Sequence, residues 1–402
     1  MVIKEFETFV VANPPPRFGG RYFIFVKLVT DTGIVGYGEV YCATFSAETV
    51  EVMLRDTAER FVVGHDPFHI EKLWRRIYGA GYNLRPDVSL VSVLSALEMA
   101  CWDIIGKACD KPVYELLGGK VHDRLRSYTY IYPAAGDVYP DPEDTDHVYV
   151  NPDRAAERAL DYVKQGFTAV KFDPAGPYTV FDGGMPTGQE LDRSEKFTRR
   201  IREAVGPEVD LLFGTHGQFS PAGAIRLAKR LEPYDPLWFE EPTPPENTAA
   251  MARVAQATSI PVATGERLCT KYEFARVLAD GAASILQLNL GRVGGLLEAK
   301  KIAALAEVHY AQLAPHMYCG PIVGAANIQL ATCSPNFLIL EGIETWGGFQ
   351  AELLDKPVQW QNGYVIPSTE PGLGVSLNEA VARANPWQGG SLHLEMGSEP
   401  VR

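Results

Sequence analysis

Short apolar runs along this 402-residue chain end repeatedly on side chains that can do chemistry. Lys171 and Asp173 close "FTAVKFD", His216 follows "VDLLFGT", and Glu240 and Glu241 close "PLWFEE". Glu266 closes "IPVATGE", Asn289 lies in "SILQLNL", His316 closes "YAQLAPH", and Glu341 lies in "FLILEGIE". Each alone is an ordinary strand-end residue. Gathered at one place, the carboxylates would repel one another unless a cation bound them. Oxygen donors without thiolates favour Mg2+ over zinc. A lysine and two histidines beside such an ion form an acid–base set.

The elements that would position these residues follow from the spacing. Helical patterns such as "DRAAERALDYVKQG", "AGAIRLAKRLEPY", "TKYEFARVLADG" and "GLLEAKKIAALAEV" separate the apolar runs. Eight strands alternating with helices predict parallel βα units. In the second half they recur at about 25 residues, which favours a closed barrel whose function collects at the C-terminal ends of the strands. The first ~120 residues read differently, as a mixed α+β unit. There "RYFIFVKLVTDTGIVGYGEV" predicts a hairpin turning at Asp31-Thr32-Gly33. Two connections, "PAAGDVYPDPEDTDHVYVNP" and "PAGPYTVFDGGMPTGQELDR", are long enough to act as lids or binding loops.

Composition excludes several partners. The net charge of −13 repels nucleic acid and anionic membranes. No stretch reads as a membrane span, and the N-terminus does not read as a signal peptide. The six cysteines are scattered without a CxxC pair, as expected of reduced thiols in a cytoplasmic protein without structural zinc. The expected partner is a small molecule, and self-association into a homo-oligomer is expected.

"WFEEP", "ATGERL", "QLNLGRVGG", "APHMYCGPI" and "LILEG" resemble, in order and spacing, the enolase superfamily in its mandelate racemase-like branch. Among its members the acid-sugar dehydratases of galactonate dehydratase type are most similar. The resemblance spans essentially the whole chain. It implies an α/β fold: a (β/α)7β TIM-type barrel over residues 123–368, an α+β capping domain over 1–122, and a C-terminal segment, 369–402, returning to that domain. It implies Glu240 and Glu266 as Mg2+ ligands and Lys171 as the lysine facing the substrate's α-carbon or carboxylate. His316 corresponds to the histidine of a His–Asp dyad, and Glu341 to the acid that hydrogen-bonds the enolate oxygen. His216 corresponds to the histidine that protonates a leaving hydroxyl. Arg17, Phe18 and Tyr41 occupy positions resembling substrate-covering loops.

Three positions depart from the family pattern. Gly214 stands where a third ligand aspartate is usual, Asn289 replaces the dyad aspartate, and Asp173 stands where a lysine or asparagine is usual. Adjacent strands lie ~4.8 Å apart, so Asp173 is expected to supply the missing carboxylate, with His216 the alternative ligand. Gly214 is expected to clear space beside His216. Asn289 cannot stabilise an imidazolium, so the base is either Lys171 or His316. The implied reaction is Mg2+-dependent proton abstraction α to a sugar-acid carboxylate followed by β-elimination. Cycloisomerisation of an anhydro-sugar acid or lactone, epimerisation, and a non-catalytic sugar-acid binder are the alternatives.

Overall fold

The computed structural model describes residues 1–42, 44–82, 84–134, 146–174 and 183–394. Parts of the two long connections read above as lids, 135–145 and 175–182, therefore lie outside the described residues.

The chain opens with an antiparallel sheet of β1 (Ile3–Ala12), β2 (Tyr22–Thr30) and β3 (Val35–Val40). The expected hairpin is present: Thr30 N–H donates to the Ile34 carbonyl, and Gly33 takes a φ of +82°. Helices α1 (Ala47–Phe61), α2 (Ile70–Gly79), α3 (Val88–Ala108) and α4 (Val113–Leu116) follow. By length and by a mean hydropathy of 1.7, α3 could cross a membrane, which the sequence reading did not anticipate. In the fold it is the central, mostly buried helix of this unit. It presses onto β3 so closely that a Cβ on Gly38 would stand 1.9 Å from the Ala96 carbonyl oxygen.

The α/β part is the expected (β/α)7β barrel. Its parallel strands are β4 (Leu125–Tyr130), β5 (Ala169–Phe172), β6 (Asp210–Phe213), β7 (Trp238–Glu240), β8 (Val262–Thr264), β9 (Ile285–Leu286), β10 (Gln312–Leu313) and β11 (Leu340–Gly342). The helices between them are α5 (Pro152–Gln165), α6 (Gly188–Val205), α7 (Pro221–Leu231), α8 (Thr248–Ala255), α9 (Thr270–Ala279), α10 (Gly295–Val308) and α11 (Pro321–Thr332). β11 pairs with β4, and a bridge from Leu313 to Phe337 closes the remaining gap. Helix starts follow the local sequence: Asn151 caps α5 before Pro152, and Thr187 with Glu190 forms a capping box on α6.

The barrel helices α10 and α11 lack side-chain caps of their own. The N-terminal unit supplies the acceptors. Glu98 on α3 takes the Leu296 and Leu297 N–H groups at 2.7 and 2.9 Å. Glu39 on β3 takes the N–H groups of Gly320, Ile322 and Val323. Acceptor oxygens placed there satisfy the N–H groups that the first turn of a helix leaves unpaired. These buried contacts fasten the N-terminal unit over the barrel and fix the loop that carries His316. Replacing Glu39 by Ala would leave buried donors unpaired and is expected to cost about 3 kcal/mol, read from denaturant unfolding.

Burial pushes the Glu39 carboxyl up to about 8, with the three backbone N–H groups offsetting only part of it. Its folded pKa thus lies above its unfolded one. The stability it contributes is full below about pH 4.5 and is lost as pH rises through about 8. The advantage of the native chain over Glu39→Gln should therefore shrink between pH 5 and pH 8.

The C-terminal part runs back over the N-terminal unit. Tyr37 Oη donates to Glu379 at 2.8 Å, Pro112 bridges to Gly372, and Val11 bridges to Pro386.

Candidate active site at the barrel mouth

The barrel interior is floored by Tyr128, Ala169, Leu212, Trp238, Ala263, Ile285, Ala314 and Ile339, one from each strand or its flank. Side chains alternate along a strand, so the next inward layer lies two residues on. For most strands that step reaches the chemical set: Tyr130, Lys171, Gly214, Glu240, Gln287, His316 and Glu341. The eighth, β8, breaks step. It ends at Thr264, and Gly265 turns with φ +139°, a conformation that favours glycine and presents Glu266 to the mouth.

Lys171 is buried between two carboxylates, with Nζ 2.9 Å from Glu240 Oε1 and 3.2 Å from Glu341 Oε1. Burial works against its charge, but Glu240, Glu341 and Glu266 outweigh it and hold Lys171 above the usual lysine range. Glu341 also accepts the Met317 N–H at 2.9 Å, which fixes its orientation.

Glu266 is the other focus. His216 Nε2 lies 3.4 Å from its Oε2, His316 Nε2 lies 3.5 Å from its Oε1, and Tyr41 Oη donates to Oε1 at 3.3 Å. Burial disfavours its charge, but His316, His216 and Lys171 together hold Glu266 well below the carboxylate range. The same contact raises His216: burial alone would lower it, and the Glu266 carboxylate reverses that.

His316 meets Asn289 through Nδ1, 3.0 Å from the amide nitrogen. The amide's orientation follows from its neighbour, because the Gly291 N–H donates to Asn289 Oδ1 at 2.8 Å. Asn289 therefore donates to Nδ1, and a neutral His316 carries its proton on Nε2. Burial, with the nearby Lys171 and Arg292 charges, pushes His316 down to about 4 despite Glu266 and Glu240. In this state His316 is a hydrogen-bond donor toward the mouth. Asn289→Asp should reverse the tautomer and raise the pKa toward the ordinary histidine range. Nitrogen-15 NMR of labelled histidine should show Nε2–H in the native chain and Nδ1–H in the variant.

Two expectations about the departures meet a different geometry. A Cβ on Gly214 would stand 2.8 Å from Lys171 Cε and 3.4 Å from Tyr130 Cε2. The glycine thus makes room for the lysine stem rather than for His216, and an aspartate there would collide with it. Asp173 does not join the carboxylate cluster. It stands one residue beyond β5, its backbone N–H donates to Tyr130 Oη at 3.1 Å, and its Oδ2 accepts from Gln218 Nε2 at 3.4 Å. Among the described residues, the donor atoms that converge within 4.8 Å belong to His216, Glu240 and Glu266. A divalent cation fits this set: two buried carboxylates face one imidazole, and Glu240 Oε2 is buried with no hydrogen-bond donor among the described residues.

Of the loop residues, Tyr41 reaches the site through Glu266, and Phe18 stacks on Tyr132 at 4.2 Å. Arg17 is exposed. The buried Glu241 is held by Arg267 at 2.6 Å in a salt bridge. Several supporting residues escaped the sequence reading. Gln218 accepts the His216 N–H at 2.7 Å, Asn327 donates to the His316 carbonyl at 3.0 Å, and the Arg292 guanidinium lies 3.9 Å from the Tyr41 ring centroid. Arg267 and Arg292 sit inside the quoted motifs and could have been found there. Gln218 and Asn327 carried no such signal.

Comparison with known proteins meets this geometry. The family model "Enolase C-terminal domain-like" matches residues 154–381, and "Mandelate racemase / muconate lactonizing enzyme, N-terminal domain" matches residues 13–118. A D-galactonate dehydratase of Ralstonia pickettii (strain 12J) is 36% identical over 375 residues, 91% of this chain and 90% of that protein. A D-gluconate dehydratase of Thermoproteus tenax is 34% identical over 404 residues, 99% of this chain and 76% of that protein. A solved structure from Labrenzia alexandrii DFL-11, provisionally named a mandelate racemase/muconate lactonizing enzyme, superposes with a TM-score of 0.96 at 66% identity over the full length of both chains.

Proposed function

Because this chain belongs to the mandelate racemase/muconate lactonizing enzyme family of the enolase superfamily, we propose that it is a Mg2+-dependent hydro-lyase acting on an aldonic acid such as gluconate or galactonate. The observation that carries this reading is Lys171, a buried amine between Glu240 and Glu341, beside the carboxylate of Glu266. Glu240 and Glu266 hold the cation, which when bound stabilises the negative charge that develops on the substrate carboxylate. Two carboxylates suffice for Mg2+, which usually keeps several other oxygen ligands.

The remaining chemistry belongs to the side chains. With the charge of Glu240 and Glu266 taken up by the cation, Lys171 would lose the carboxylates that hold it protonated, and its freed Nζ would take the α-proton. Glu341, oriented by Met317 and facing the same lysine, would in its protonated form donate a hydrogen bond to the enolate oxygen. His316 donates from Nε2 and orients the substrate rather than taking the proton. His216, whose pKa is raised beside Glu266, gives its proton to the β-hydroxyl. The C–O bond breaks, water leaves, and the enol becomes a 2-keto-3-deoxy acid. Asp173 with Gln218 lies at the rim, where it can accept a substrate hydroxyl.

The test is incubation with a panel of aldonates, aldarates and sugar lactones, with Mg2+ and with EDTA, assayed for 2-keto-3-deoxy acids. Metal-dependent product from an aldonate supports the reading, and no product from any member of the panel overturns it.

One observation favours a second reading. The donor atoms of His216, Glu240 and Glu266 all lie within 4.8 Å of one another, so His216 could complete the metal shell. Elimination would then lack its acid, and reprotonation of the same enolate would give an epimerase. His216→Gln separates the two. If His216 is the acid, metal affinity stays within about twofold while dehydration falls ~100-fold or more. If it is a ligand, metal affinity itself falls by at least ~100-fold.

A further inference from the structure

The C-terminal segment brings a histidine to the back of the site. Trp387 N–H donates to the Val10 carbonyl at 2.9 Å, and its ring lies 5.0 Å from that of Tyr22. Further on, Arg21 N–H donates to the His393 carbonyl at 3.1 Å. Residues 386–393 thus run beside the 13–21 loop of the N-terminal unit. That loop is held from within by Asn13, whose amide donates to the Phe18 and Gly20 carbonyls at 3.0 and 2.7 Å. It rests on the barrel through Phe18 on Tyr132 and through Gly19, where a Cβ would stand 3.0 Å from the Cys319 carbonyl oxygen.

His393 is 5% exposed, its imidazole meeting Tyr22 and Tyr318 edge-on at 5.6 and 6.2 Å, and two further contacts bear on the site. One face of its surroundings is the loop: a Cβ on Gly20 would stand 2.1 Å from His393 Nε2, so the imidazole fills the space a side chain there would need. The other is Tyr41, whose ring meets the imidazole edge-on at 5.3 Å. That same tyrosine carries the Arg292 guanidinium over its ring and donates to Glu266. Edge-on ring pairs of this kind fix orientation as well as burying area. Burial, together with the Arg292 and Arg21 charges, pushes His393 down to about 3, so the ring packs as neutral imidazole.

We propose that His393 is a positioning residue: it pins the 13–21 loop over the barrel mouth and sets the orientation of Tyr41, and through Tyr41 that of Glu266. The loop half of this proposal stands on packing alone. The Glu266 half rests on the metal-binding reading given above.

Hydrogen exchange by mass spectrometry on the full chain tests the loop half. In His393→Ala, amides of 13–21 should exchange ~10-fold faster or more, while peptides from α3 and the barrel helices keep their protection. His393→Phe keeps a flat ring for the edge-on contact with Tyr41 and should restore most of the loop's protection. If His393→Ala folds poorly, His393→Asn should show the same local loosening to a smaller degree. Unchanged exchange in 13–21, or acceleration spread evenly over the chain, would overturn the loop half.

Calorimetric titration with Mn2+ tests the Glu266 half. Affinity should fall by about tenfold in His393→Ala and recover in His393→Phe. An unchanged affinity in a variant whose loop has loosened would overturn that half. A native chain that binds no divalent cation would overturn the proposed function instead and leave the loop result standing.

Discussion

Lys171→Met is expected to remove turnover by about 10^3- to 10^4-fold while leaving metal binding intact or tighter. The direction of the second effect separates this account from a simple loss of structure. The Lys171 ammonium lies 2.9 Å from Glu240, an oxygen donor that the cation also needs. Removing the ammonium frees that carboxylate, so affinity should rise several-fold, a change that calorimetric titration resolves. Without metal the variant should be less stable, because breaking a buried ion pair by deleting one partner costs about 3–5 kcal/mol. Added cation should return much of that stability, since a ligand bound only by the folded state stabilises it by mass action. Equal loss of stability with and without metal would contradict this picture.

The second large effect belongs to Glu266→Gln. This carboxylate meets His216, His316 and Tyr41 at 3.3 to 3.5 Å, and it is held ionised against its own burial by those histidines and Lys171. An amide keeps the shape and removes the charge. Metal affinity should fall by at least ~100-fold and turnover with it. The effect on His216 has a defined sign. Glu266 is the main group that raises the His216 pKa against its burial, with Glu240 adding to it, so in the variant the pKa should fall. Proton NMR titration of the histidine ring would report the change. The native His216–Glu266 contact is formed with His216 charged, so the stability it gives is present at acidic pH and lost as pH rises past the raised pKa.

Much of this site was legible before any coordinates. The two-residue period of a strand carries Lys171, Glu240, His316 and Glu341 into the layer above the barrel floor, whereas Glu266 reaches the mouth only through the turn at Gly265. That is why Lys171, Glu240, His316 and Glu341 could be placed from the sequence. Their electrostatic relations were also foreseeable, because carboxylates gathered without cations are unstable.

What was not legible depends on contacts across long stretches of chain. Gly214 looked like a clearing for its near neighbour His216, yet the atoms that need the space are those of Lys171, on the adjacent strand. Asp173 had the right charge on the right strand, but its position past Phe172 leads its carboxylate to Gln218. His393 lies outside every motif quoted for the site. Its partners Gly20 and Tyr41 lie more than 350 residues earlier, and no local pattern announces such a pairing. The length and hydropathy of α3 also suggested nothing special in the sequence, although only its central position explains why so apolar a helix is needed.

Glu39 and Glu98 illustrate a related limit. Each is a lone acidic residue in an apolar stretch, and nothing near it in sequence predicts a partner. The partners are uncapped helix N-termini of the barrel, which exist only once α10 and α11 have formed. The N-terminal unit therefore does more than cover the mouth. It supplies the hydrogen-bond acceptors that finish two barrel helices, including the one that follows the loop bearing His316.

The central claim is that a divalent cation beside Glu240 and Glu266 lets Lys171 remove a proton from carbon. The most direct measurement follows the α-proton of gluconate and galactonate by NMR in D2O, with Mg2+, with EDTA, and with Lys171→Met. The account predicts that the α-proton signal of at least one of these acids disappears, by exchange or elimination, only when native protein and metal are both present. Loss of that signal at the same rate with EDTA, or in the Lys171→Met protein, would contradict it.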